Sequence, residues 1–123
     1  MRIFWIAAGA LALAISPALA DDIMANTYGN TVISTGGIAE VHTHYHADHS
    51  FDMVASTMVF SKTFKGSWAL DGKGNLCRTF EGEVPPNTAN PLCTPIAAHK
   101  IGETWTVTAN GATRTVTLKA GIE

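Results

Sequence analysis

From Thr31 onward the chain alternates apolar and polar residues in short runs, the period-two pattern of half-buried strands rather than the longer period of a helix. About seven segments carry it: Thr31–Ser34, Ile38–His46, Phe51–Phe60, Thr63–Leu70, Leu76–Phe80, Glu103–Ala109 and Ala112–Leu118. Each is rich in β-branched or aromatic residues and is bounded by Gly, Asp, Asn or Pro. No amphipathic stretch of helical length separates them. Strands joined by short connections pair antiparallel as a meander, and a sheet of this size must curl into a small barrel or fold over as a sandwich to bury its apolar face. The expected class is therefore all-β. Ahead of the strands, Ile23–Tyr28 fits a short helical turn that Gly29-Asn30 ends.

Two turns are legible from their chemistry. Asn110-Gly111 between alternating runs is the signature of a two-residue type I′ hairpin, which sets Trp105 opposite Val116. Thr104, Thr106, Thr108, Thr113, Thr115 and Thr117 then share the other, solvent-facing side. Asp71-Gly72-Lys73-Gly74 forms a second turn, and Trp68, Leu70 and Leu76 around it belong to the core.

The polar positions are most unusual in Val41-His42-Thr43-His44-Tyr45-His46-Ala47-Asp48-His49. In a strand, His42, His44 and His46 share one face, while Val41, Thr43 and Tyr45 take the other. Ala47-Asp48-His49 fits a three-residue hairpin loop, with His49 in the left-handed conformation that ends such loops. That register pairs His46 with Ser50, Tyr45 with Phe51, His44 with Asp52, Thr43 with Met53, and His42 with Val54. One side then gathers Val41, Tyr45, Phe51, Met53 and Ala55, and the other the histidines with Ser50 and Asp52. Two imidazoles in an H-x-H strand, with a cross-strand carboxylate, have the donor chemistry for a divalent ion. The candidate metal set is His42, His44, His46, His49 and Asp52, and Zn, Cu or Ni suits imidazole. The competing readings are an ordinary solvated face with an exposed His44–Asp52 pair, and a face that responds to pH through its imidazoles. His99 stands apart in sequence and fits an isolated structural residue.

The start of the chain departs from the strand pattern. Arg2, the uncharged run Ile3–Ile15, Pro17 and Ala18-Leu19-Ala20 have the form of a cleaved signal peptide over 1–20, leaving 21–123 as a single β domain. Export to the periplasm or beyond the cell is the expectation, with no membrane association after cleavage. In such a compartment an even pair of cysteines forms a bridge, so Cys77 and Cys93 are expected as a disulfide. They enclose a Pro- and Gly-rich stretch, Glu81–Asn87 with Pro91, that reads as loop.

Charge and length narrow the function classes. The 123 residues carry a formal net charge of −2, and loss of Arg2 with the leader makes the product more acidic, which excludes a nucleic-acid footprint. There is no room for a separate cofactor domain, and no G-x-S-x-G, H-E-x-x-H, phosphate-binding loop or dinucleotide fingerprint. What remains is a small exported protein that binds a metal ion or small ligand through the histidine face. The alternatives are a small metal-dependent enzyme using that face, and a structural or inhibitor-like envelope protein.

Tyr45-His46-Ala47-Asp48-His49-Ser50-Phe51, Gly66-Ser67-Trp68 and Gly74-Asn75-Leu76-Cys77 together resemble the turn, Gly-x-Trp and Gly-x-Leu-Cys elements of small exported bacterial domains of lipocalin-like type. The resemblance spans about Gly29 to Phe80 and implies a lipocalin-like barrel and export rather than an activity. His49 stands where those domains carry glycine.

Overall fold

The computed structural model describes residues 23–109 and 111–123. The leader at 1–20 and Asn110 of the last hairpin lie outside the described residues. Eight strands follow one another: β1 (Thr31–Thr35), β2 (Glu40–Tyr45), β3 (Ser50–Ser56), β4 (Ser61–Leu70), β5 (Asn75–Glu81), β6 (Leu92–Pro95), β7 (Thr104–Ala109) and β8 (Ala112–Lys119). They form one antiparallel sheet in the order β6-β5-β4-β3-β2-β1-β8-β7. Every neighbouring pair except β1–β8 is consecutive, so the sheet is the expected meander. It curls until its two edges, β6 and β7, lie beside each other without a hydrogen-bonded ladder, which makes a nearly closed antiparallel barrel, consistent at a coarse level with a lipocalin-like fold.

The stretch 82–91 is loop as expected, and a short additional strand, β6, follows it. Pro91 precedes β6 and Pro95 is its last residue, and Pro is tolerated at the ends of an edge strand because no ladder hydrogen bond is lost there. Cys77 sits opposite Cys93 in the β5–β6 register and the two form the disulfide. Ahead of the start of β6, the Asn90 side chain extends the pairing: it accepts from the Phe80 N–H (2.8 Å) and donates to the Phe80 oxygen (3.2 Å). At the other boundaries, Thr57–Phe60 forms a turn rather than extending β3. The Thr57 N–H donates to the Phe60 oxygen at 2.8 Å, and Thr57 Oγ1 accepts from the Val59 and Phe60 amides. Ile23–Tyr28 makes the expected turn, with the Thr27 N–H on the Met24 oxygen.

Inward positions follow the period of two along each strand. Tyr45, Phe51, Met53, Phe64, Trp68, Leu76 and Phe80 pack as one core with Met24. The rings meet edge to face, Phe51 on Phe80 at 5.4 Å and Phe64 on Phe80 at 6.4 Å. Gly66 lies among them on the inner face of β4, because a Cβ there would stand 2.0 Å from the Thr79 oxygen and 2.9 Å from Phe51 Cε2. Trp105 pairs with Val116 as the hairpin register requires.

Antiparallel order places the turn at Met24, the β2–β3 and β4–β5 turns and the β6–β7 connection at one end of the barrel. The 36–39, 57–60 and 82–91 connections stand at the other. The first end is filled by Met24, Tyr28 and Trp68, with the Tyr28 and Trp68 rings 6.2 Å apart. At the second, Ile38 is 97% exposed and Phe60 62% exposed while both line the interior cavity, so this end is the mouth.

Candidate functional site

The β2–β3 hairpin has the expected register throughout: Tyr45 opposes Phe51, His44 opposes Asp52, Thr43 opposes Met53 and His42 opposes Val54. Its outer face carries the histidines. Asp52 lies between two of them, with His44 Nδ1 2.7 Å from Oδ2 and His46 Nε2 3.0 Å from Oδ1. Burial pushes the Asp52 carboxyl up, and the hydrogen bonds from His44 and His46 outweigh it, so the group titrates below the ordinary carboxylate range. His44 is only 7% exposed because the chain after β8 folds back over it. Its Nε2 lies 3.0 Å from the Glu123 oxygen, and Thr31 fastens the same segment by donating to the Gly121 oxygen and accepting from the Glu123 amide.

His42 and His49 are directed elsewhere. His42 Nε2 sits 2.6 Å from Glu40 Oε2 on its own strand. His49 adopts the left-handed conformation with φ 72°, stacks on Trp68 at 4.1 Å and places Nδ1 3.1 Å from the Trp68 oxygen. Asp48 closes the same turn by accepting from the Ser50 hydroxyl and amide, which hold its carboxyl low. His99 is remote, stacked on Trp105 at 3.4 Å and facing Glu103 Oε2 at 3.0 Å. The structure thus brings together His44, His46 and Asp52 of the five sequence candidates and separates His42 and His49 from them. A metal ligand needs a free nitrogen lone pair aimed at a shared point. Here each imidazole engages a carboxylate or carbonyl, and among the described residues no group of three or more His, Cys, Asp or Glu is disposed to hold a metal ion.

The inner side of the same hairpin lines a cavity of about 860 Å³ running along the barrel. Val41, Thr43, Tyr45, Met53 and Ala55 come from β2 and β3, Phe64 and Phe80 from the next strands, and Trp105, Val107 and Val116 from the far wall. This volume falls in the range of small-molecule sites, about 300–1,000 Å³, and the lining is mostly apolar as such sites are. Three cationic side chains interrupt it: Lys62, Arg78 and Arg114. Lys62 pairs with Glu83 at the mouth. Arg114 ties β8 to β1, with Nε donating to Ser34 Oγ at 2.6 Å and Nη2 to the Ala39 oxygen at 2.9 Å. Arg78 donates from Nη2 to Thr94 Oγ1. Tyr45 lies within the field of Arg78; burial raises its hydroxyl and the Arg78 charge opposes the rise.

Sequence reasoning placed Val41, Tyr45, Met53 and Ala55 on the inner side but missed the cations among them. The available signal was a charge at an inward position: Arg78 falls between Leu76 and Phe80, and Arg114 between Ala112 and Val116. No protein-family model, curated protein or solved structure matches the chain.

Proposed function

We propose that the protein is a small exported binding protein that holds an apolar small molecule inside its barrel. The observation that carries this reading is the cavity of about 860 Å³, apolar along its walls and open between the 36–39, 57–60 and 82–91 connections. A core of this size normally closes on itself, since interiors pack with few voids larger than a water molecule. A void this large forgoes packing contacts that a bound apolar ligand would restore. Export is supported by the Cys77–Cys93 bridge, a feature of oxidising compartments, and by the leader-like composition of 1–20. The resemblance to small exported bacterial lipocalin-like domains agrees with this setting.

Titration with a neutral naphthylamine dye whose emission rises in apolar surroundings tests the reading. Saturable one-to-one binding is expected. Ala55→Trp, which places an indole in the cavity, should weaken binding about tenfold or more while cooperative unfolding persists. Absence of saturable binding, or equal binding by the filled variant, would contradict it.

A further inference from the structure

Arg78 differs from the other cations of the cavity wall in holding a buried donor without a partner. Its Nε is buried and has no hydrogen-bond partner. Arg114 is occupied by Ser34 and Ala39, and Lys62 by Glu83. Among the described residues no carboxylate lies within ion-pair distance of Arg78. A guanidinium is always charged, and placing one in an apolar enclosure without a counter-charge is costly unless something else supplies that charge. A buried polar atom left unpaired in an otherwise satisfied interior marks a place where a partner is missing.

We propose that the ligand is an amphiphile ending in a single carboxylate, with its head on the guanidinium of Arg78 and its apolar tail along Met53 and Phe64 towards the mouth. This rests on the cavity being the binding site. The planar guanidinium fork matches a carboxylate, and a charge-assisted bond of this kind is about twice as strong as a neutral one. A single carboxylate is favoured because Arg78 combines a buried unpartnered donor with the lack, among the described residues, of an ion-pair carboxylate, whereas Arg114, equally without a carboxylate, gives its Nε and Nη2 to Ser34 and Ala39. Thr94 fixes the guanidinium from β6, so its orientation exists before the ligand arrives. Tyr45 lines the same cavity, and burial keeps its hydroxyl protonated as a further donor.

Displacement of the neutral dye at neutral pH by dodecanoate, and separately by dodecanol, distinguishes this from the cavity reading. The two competitors share a tail and differ in head charge. Dodecanoate should displace at a concentration about tenfold or more below that of dodecanol. Arg78→Gln should bring the two together while dye binding stays, and Arg78→Lys should retain part of the difference. Equal displacement by acid and alcohol from the wild-type protein would overturn the carboxylate claim with the cavity intact, and a full difference surviving in Arg78→Gln would overturn Arg78 as its seat. If the dye itself does not bind, the cavity reading falls instead. The wild-type comparison decides the carboxylate claim even if Arg78→Gln does not fold, and Arg78→Lys then tests the seat.

Discussion

The two faces of the β2–β3 hairpin hold opposite kinds of chemistry. Outside, His44 and His46 meet on Asp52, His42 meets Glu40, and the Glu123 oxygen covers His44. Inside, Thr43, Tyr45 and Met53 border an open cavity that Arg78 also lines, and the buried Nε of Arg78 has no partner. The outer face is dense in functional groups and its contacts are internal. The inner face is sparse in them and leaves one unmet. Capacity for a ligand therefore follows from which polar groups lack a partner in the fold, not from how many crowd one strand.

The largest expected effect comes from the inner face. Phe51→Ala removes a ring packed on Tyr45 and Phe80 and should cost about 3–5 kcal/mol in urea unfolding. A loss under 1 kcal/mol would mean that the interior is less tightly organised than its ring contacts imply. Next is the disulfide, which lies on neither face of the hairpin. Replacing both cysteines by alanine should cost about 3 kcal/mol, the loop-closure value for a bridge with a sequence separation of 16. Dye affinity should change little, which would separate global stability from the cavity.

On the outer face the effects shrink. Asp52→Asn should cost about 1–2 kcal/mol at neutral pH, because His44 loses a charged partner in a covered position. The sign with pH follows from the lowered carboxyl. A group held below its unfolded value stabilises the fold above that value, near 3.9 for Asp, and the stabilisation is lost as pH falls through the folded value. The difference in melting temperature between wild type and Asp52→Asn should accordingly be full near neutrality and vanish in acid; a difference that grows in acid would reverse the assignment. Smallest is His46→Ala, about 0–1 kcal/mol, since the ring is 48% exposed and its pair with Asp52 is screened. Excess Zn²⁺ should leave the melting temperature of the wild type unchanged, and a rise abolished by His44→Ala would restore the metal reading of this face.

Much of the fold was legible in the sequence because local signals agreed with one another. Period-two alternation, the Ala47-Asp48-His49 turn and the inward Tyr45 and Phe51 all demanded one register, and a slip of one residue would have exchanged the two faces. β6 was hidden because Pro91 and Pro95 signal loop, and its pairing depends on the partner strand β5, which local composition does not reveal. The site was less legible. Histidine density indicated where imidazoles would gather but not that Glu123, far along the chain, would cover one of them. The cavity depends on how far the sheet curls, a property of all eight strands together, and the partner that Arg78 lacks is a fact of three dimensions.

The central claim is that ligand enters the inner face of the hairpin and not the outer one. Side-chain NMR during titration with the neutral dye tests it most directly, following the methyl signals of Met53, Ala55 and Val107 beside the imidazole signals of His42, His44 and His46. The methyl signals should shift to saturation together while the imidazole signals stay in place. Shifts of the imidazole signals with unmoved methyl signals would contradict the account and return the site to the histidine face.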